Sequence, residues 1–390
     1  MITVPPSPLT DLELALGSVI GTDPGTPAIA LDEFGPETPR TAVRAVIRGA
    51  LEHGPCFVAF SGGRDSSTIL AIAVDVAREA DLALPIPVSK IMPDLPSADE
   101  SEWQELVLDH LGVTERIIME VHAGDEEIFG PDGIEALQRI GVTYPAAASS
   151  VVRLARETSG GTLLTGSGGD ELGNAANSQW AARALSTGTA PWRTRLAARL
   201  PVAASAARRV RTLAKKPTDY FFVSPWLTRR ADLALRRELA TLEGGQSIRW
   251  DRRISGFARS KHLVLTTRSL SALAAPYGVD VLHPLWERRT LAALAASRPF
   301  QGYPTRSSIL EELADGLLPI EVTRRTTKAD FTATPWGPEA ENFIAHWDGS
   351  GVDLRFVNPT ILHAQWRLPP VDRTISSIAL LQSAWLNSQR

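Results

Sequence analysis

Cys56-Phe57-Val58-Ala59-Phe60-Ser61-Gly62-Gly63-Arg64-Asp65-Ser66-Ser67 is the stretch on which the fold turns. Its first five residues are an apolar run too short for a helix, closed off upstream by Gly54-Pro55, and such a run reads as a buried strand. Beyond Ser67 the apolar spacing predicts a helix over 68–80. The order is therefore strand, glycine-rich loop, helix. A helix that opens against such a loop leaves backbone N–H groups converging on one spot, where its dipole also favours negative charge, and a phosphate belongs there. Gly62 and Gly63 let the backbone come close to the anion, the hydroxyls of Ser61, Ser66 and Ser67 can add hydrogen bonds, and Asp65 offers Mg²⁺ a hard oxygen. The string has neither the Gly-Lys-Ser/Thr ending of a Walker loop nor the GxGxxG spacing.

Upstream, Val43, Val46, Ile47 and Leu51 fall at helical spacing, so a helix over 41–54 feeds the strand. Residues 1–40 carry prolines at 5, 6, 8, 24, 27, 36 and 39 and read as an extended arm. Downstream, apolar runs at 86–91, 116–121 and 162–165 alternate with helical segments near 100–111 and 146–158. That alternation predicts a doubly wound, mainly parallel α/β sheet within a nucleotide-binding core over 41–180. From Leu172 through Thr218 there is no acidic residue, while Arg183, Arg193, Arg195, Arg199, Arg208, Arg209, Arg211, Lys215 and Lys216 accumulate. Residues 181–260 are read as a basic, mainly helical insert or lid. A solvated helix face is the plain reading of its charge, and docking of an acidic peptide or closure over a triphosphate are the sharper ones. Residues 261–390 read as mainly helical, clearest at 263–275, 288–297, 307–318 and 376–387.

With 390 residues, 44% of them hydrophobic, the chain can bury a large core. A net charge of −4 draws it to neither nucleic acid nor anionic membrane. Cys56 is its only cysteine, which excludes an intrachain disulfide and a thiolate cluster and fits a reducing, cytoplasmic setting. No apolar run is long enough to span a bilayer and no signal-like segment opens the chain. The histidines show no ligand spacing.

The second chemical motif is Leu163-Leu164-Thr165-Gly166-Ser167-Gly168-Gly169-Asp170-Glu171-Leu172-Gly173, again a strand, a glycine-rich turn and an acidic pair. SGGRDSS resembles the pyrophosphate loop of the N-type ATP pyrophosphatases, which have a PP-loop, adenine nucleotide α-hydrolase-like fold, and the second motif is similar to the SGxGxDExFGG segment of asparagine synthetases. Pro87-Val88-Ser89 resembles that family's adenine-holding strand, and Asp99-Glu100-Ser101-Glu102-Trp103 the helix after it. Tyr277-Gly278-Val279-Asp280-Val281-Leu282-His283-Pro284-Leu285-Trp286-Glu287 is similar to HGLExRxPFLD, and residues 318–331 to LPxExxxRxxKxxF. The chain thereby resembles an asparagine synthetase-like, AMP-forming ligase using ATP and Mg²⁺.

The resemblance implies roles residue by residue. Asp65 and Asp170 match the two Mg²⁺-binding aspartates. Ser61, Gly62, Gly63, Asp65, Ser66, Ser67, Val88, Ser89, Gly166 and Gly168 match the nucleotide-binding positions. Lys328 matches a lysine near the α-phosphate, and Asp280 a glutamate that helps deprotonate or orient the attacking amine, although one methylene shorter and with Leu282 in place of an arginine. Ser167 faces the acceptor side, where asparagine synthetases have Glu and β-lactam synthetases have Tyr, which speaks against ordinary asparagine formation. Ile2 stands where glutamine-dependent members carry a cysteine nucleophile, so a glutaminase domain is not expected. The tail segments 347–353, 357–359 and 380–386 look more like lasso-peptide macrolactam synthetases than like primary asparagine synthetases. The implied reaction is adenylation of a carboxylate, best placed on a precursor peptide, followed by attack of an amine. A leader-peptide protease or recognition protein would be a partner. The alternatives are amidation of a small acid by ammonia or an amine, and a non-catalytic ATP-binding scaffold.

Overall fold

The apolar run ahead of the first glycine-rich loop forms strand β1 (Cys56–Ala59), and four further strands join it in one sheet. They are β2 (Ile86–Ile91), β3 (Ile117–Glu120), β4 (Thr162–Leu164) and β5 (Asp280–Leu282), in the order β3-β2-β1-β4-β5. The computed structural model describes residues 7–122, 124–177, 179–214, 224–327 and 329–389. Every pairing in the sheet is parallel, with Phe57 opposite Ile86 on one side and Leu163 on the other, and Leu164 opposite Leu282. Parallel neighbours require crossovers, so helices cover both faces.

In chain order the helices are α1 (Asp11–Leu16), α2 (Pro39–Leu51), α3 (Arg64–Glu79), α4 (Ser101–Leu111), α5 (Pro131–Ile140), α6 (Ser150–Glu157) and α7 (Gly169–Asn177). Before β5 come α8 (Trp180–Ser186), α9 (Trp192–Arg199), α10 (Pro201–Ala214), α11 (Arg229–Gly245), α12 (Trp250–Phe257) and α13 (Lys261–Ala274). After it come α14 (Arg288–Ser297), α15 (Arg306–Ala314), α16 (Ile320–Thr323), α17 (Pro338–His346), α18 (Pro359–Trp366) and α19 (Ile378–Ser388). Strand residues alternate between the two layers, as a pleat requires. Cys56 and Val58 pack with Ile47 of α2, Leu70 of α3, Leu291 of α14 and Ile309 of α15, whereas Phe57 packs with Ala136 of α5, Val152 of α6 and Leu273 of α13. A third apolar cluster gathers Leu9, Ala15, Trp347, Trp366 and Leu381, and so joins the two ends of the chain.

The doubly wound α/β architecture is as expected from the alternating runs, with local differences. The arm is not extended throughout: Thr10 and Glu13 form a capping box, α1 follows, and Leu9, Ala15 and Leu16 are buried. The segment read as wholly helical supplies β5, three residues between Gly278 and Pro284 that are too short to show a period. The sheet therefore draws a strand from beyond 41–180. Helix α3 begins at Arg64, not at Thr68, so half of the loop string is helical. Helix α5 has no counterpart in the sequence reading, and the helix foreseen over 307–318 ends at Ala314, where Asp315 takes φ +44°. The basic stretch is shared among α8, α9 and α10. Within it Arg183 is structural, donating to the carbonyls of Ala176 (2.9 Å) and Tyr303 (2.8 Å), while Lys215 and Lys216 lie outside the described residues.

Gln382 of α19 is buried and accepts from the Thr143 amide (3.0 Å) and hydroxyl (3.1 Å) while donating back to the hydroxyl (2.8 Å). Gln382→Leu leaves that buried amide unsatisfied and is expected to cost about 1–3 kcal/mol, read as a lower urea midpoint. An unchanged midpoint would show that the Thr143 amide finds another partner.

Candidate functional site

Helix α3 starts at the carboxyl end of β1 without a side-chain cap on its N-cap residue Gly63. Its first N–H groups and its dipole therefore face whatever lies beyond the sheet. The loop before it is held by its own serines: Gly63 N donates to Ser61 Oγ (3.3 Å), Ser61 N donates to Ser66 Oγ (3.3 Å), and Ser66 Oγ donates to the Gly63 carbonyl (3.1 Å). Gly62 takes φ +79°, a left-handed conformation that favours glycine. The second glycine turn leaves β4 beside it. A Cβ on Gly166 would come within 2.6 Å of the Ser66 amide nitrogen, so the turns are in direct contact.

Between them lies a cavity of about 440 Å³. Ser61, Gly63, Asp65, Ser66, Gly166, Ser167 and Asp170, all singled out in the sequence, line it together. Val88 lines an adjoining cavity of about 160 Å³ that shares Ser61, Glu100 and Phe331 with the first, a narrow and largely apolar space suited to a flat base. Ser67 and Ser89 are fully buried, line neither cavity, and have hydroxyls without a partner among the described residues. Gly62 and Gly168 shape the turns and are not among the lining residues. Lys328 lies outside the described residues, between Thr327 and Ala329, which both line the larger cavity.

Asp280 is not brought to this place. It opens β5 opposite Thr162, at the amino edge of the parallel strands, and is exposed there. The loops of the site follow the carboxyl edge, so the pleated register alone separates Asp280 from them. The residue that β5 delivers to that edge is His283. Its Nδ1 meets the Thr165 hydroxyl at 2.6 Å, and that hydroxyl also accepts from the Ser167 amide (3.2 Å). Burial pushes the His283 pKa down to about 4, so the imidazole stays neutral behind the cavity wall. Burial raises the Glu287 carboxyl as well.

Charge in the cavity is arranged in two sets. Arg306, the first residue of α15, donates to Asp65 through Nε (3.1 Å) and Nη2 and to Asp170 through Nη1. Burial raises the Asp65 pKa against the pull of that arginine. Arg325 and Glu100 form a buried bidentate pair, with side chains 6% and 7% exposed and Nη2 at 2.6 Å from Oε1. The Arg325 guanidinium also lies 4.4 Å over the Trp103 ring and donates to Thr327 Oγ1 (2.7 Å). Arg64 completes the cationic wall. Glu100, Trp103 and Arg325 sit in motif strings that the sequence reading quoted without giving them roles. Arg306 sits in none, and no sequence signal pointed to it.

The residues fit Mg²⁺ with a nucleotide: Asp65 and Asp170 converge on one point, and among the described residues no cluster of three or more His, Cys, Asp or Glu is placed to hold an ion by itself. Phosphate oxygens would have to complete the shell. No described helix is long and apolar enough to cross a membrane. A family model described as Asparagine synthase matches residues 40–383, from the start of α2 into α19. Comparison with curated proteins gave no match.

The folded state keeps His283 neutral down to about pH 4, whereas an unfolded chain protonates it near 6.5. Its contribution to stability is complete above pH ~6.5 and is lost as pH falls toward 4, by up to about 3 kcal/mol. His283→Asn is expected to show a shallower loss of urea stability between pH 7 and 4 than the wild type. Parallel curves would show that His283 takes up its proton in the fold as readily as in the open chain.

Proposed function

The chain belongs to the asparagine synthase family, and from that premise we propose that it closes a macrolactam in a ribosomal peptide of the lasso type. Enzymes of this family are ATP-dependent, AMP-forming carbon–nitrogen ligases that use Mg²⁺ with ATP. ATP supplies the activation: a substrate carboxylate joins its α-phosphate with release of pyrophosphate, and the amine that attacks the carbonyl expels AMP.

Ser167 is the observation that carries the reading. It lines the cavity between Gly166 and Asp170, at the position that the family resemblance assigns to the acceptor side, with a side chain smaller than the glutamate or tyrosine of those relatives. The wall is left with hydroxyls, Ser167 and Thr165, and with room for a bulky amine such as a peptide N-terminus. The acidic residues that line the cavity, Asp65, Asp170 and Glu100, are each bonded to an arginine, so none is open to recruit ammonium.

The proposed division of labour follows the geometry. The serine loop and the start of α3 hold the pyrophosphate portion, Asp65 and Asp170 hold Mg²⁺, and Lys328 sets a point cation near the α-phosphate. Asp280 receives no role. Binding both ends of one peptide makes the attack intramolecular, which removes much of the entropic barrier. A precursor peptide and a leader-peptide protease or recognition protein are the partners this reading calls for.

Purified protein with Mg²⁺, ATP and a precursor peptide is expected to release AMP and pyrophosphate and to yield a peptide lighter by one water with a blocked N-terminus. Asp65→Asn and Asp170→Asn are each expected to lower product by ~10²-fold or more. Release of ADP and phosphate would contradict the chemistry. An amide formed only with ammonium or a small amine would replace the macrolactam by amidation of a small acid.

A further inference from the structure

Arg306 stands where a metal ion would. Its guanidinium joins Asp65 and Asp170, which come from two different turns, into one bridged set. The fold makes room for the contact. Gly169 and Gly173 are one turn apart on the same face of α7. A Cβ at Gly169 would run into the Asp65 carboxylate, and one at Gly173 would lie 2.9 Å from Arg306 Cβ and 3.2 Å from its Cδ. The two missing methyl groups form the slot that holds the carboxylate and the arginine stem. Gly173, inside the helix, is a poor helix former, which makes an incidental slot a poor explanation. The Thr305–Ser308 capping box fixes the start of α15 and with it the point from which Arg306 reaches in.

Two carboxylates facing one point, Asp65 largely buried and Asp170 half-exposed, repel each other unless a cation lies between them. With no third protein ligand among the described residues, a divalent ion has little to hold it until phosphate oxygens arrive. We propose that Arg306 is the resident counter-cation of this site. It pairs Asp65 with Asp170 while nucleotide is absent and so keeps free divalent metal out. When Mg²⁺ enters with nucleotide, the guanidinium turns from the carboxylates to a phosphate oxygen, a bidentate partner it suits as well. The proposal rests on the reading of Asp65 and Asp170 as metal ligands, and it makes Arg306 a positioning residue that enforces entry of metal and nucleotide together.

Mn²⁺ binding, followed by loss of the free-ion EPR signal, tests it on the wild type, Arg306→Gln and Arg306→Lys, with and without α,β-methylene-ATP. Without nucleotide, Arg306→Gln is expected to bind Mn²⁺ at least ~10-fold more tightly than the wild type, and the analogue is expected to bring the wild type to tight Mn²⁺ uptake. By calorimetry Arg306→Gln should bind the analogue with Mg²⁺ at least ~10-fold more weakly than the wild type, with Arg306→Lys between. Equal Mn²⁺ affinity of the wild type and Arg306→Gln without nucleotide overturns the proposal, and wild-type uptake with the analogue then leaves the metal reading standing. Absence of wild-type uptake even with the analogue overturns both. Unchanged analogue affinity in Arg306→Gln overturns the transfer to phosphate. Should Arg306→Gln not fold, the wild-type Tm carries the test: Mg²⁺ alone is expected to leave it unchanged and Mg²⁺ with the analogue to raise it, and a rise with Mg²⁺ alone overturns the proposal.

Discussion

Parallel pairing of β1 with β4, Phe57 opposite Leu163, is the constraint from which the rest of the site follows. At β1 the strand order turns back, with β2 and β3 on one side and β4 and β5 on the other, and such a switch point opens a crevice at the carboxyl edge of the sheet. Both glycine turns leave the sheet there. Their contact, Gly166 against the first turn of α3, sets how wide the crevice can be. A side chain at position 166 would push the loops apart and displace the serines that hold the first turn.

Electrostatics then explains why the crevice is stable with so many charges facing inward. Asp65 and Asp170 share Arg306, and Glu100 is held by Arg325. Removing one partner of the buried Glu100–Arg325 pair leaves an uncompensated charge, at a cost of about 3–5 kcal/mol. The Glu100–Arg325 pair also has a mechanical consequence. Arg325 reaches the Gly62 carbonyl (3.4 Å), the Trp103 ring and Thr327, so the segment ending at Thr327 is tied to the loop of Ser61 to Gly63. The first glycine turn and the C-terminal motif thereby act as one wall.

The correction at β5 shows where reading along the chain fails. The string 277–287 was legible as a motif, but a motif does not say which of its residues reaches the edge of the sheet. Register does, and it carries His283 to the Thr165 hydroxyl while leaving Asp280 exposed at the opposite edge. The strand itself has three residues, too few for a periodic signal, and it is defined by the partner it pairs with. Helix α1 was hidden for a similar reason. Its six residues sit in a proline-rich segment, and they are held by packing of Leu9 and Ala15 with the C-terminal helices and by burial of Leu16.

By itself the sequence determined the fold class, the two glycine turns, and the set Ser61, Gly63, Asp65, Ser66, Gly166, Ser167 and Asp170 that lines the cavity. These depend on local facts: apolar runs of strand length, breakers between them, and hydroxyl and carboxylate side chains within a few residues of a helix start. Tertiary structure alone decided that Arg306 bridges the two aspartates, that Arg325 closes on Glu100, and that His283, not Asp280, lies at the carboxyl edge of the sheet. An arginine far along the chain can find its carboxylates only once α15 packs against α3 and α7, and the slot that receives it exists because Gly169 and Gly173 lack side chains. Such partners are selected by three-dimensional packing and by the high cost of leaving a buried charge unpaired, neither of which is written into the spacing of residues along the chain.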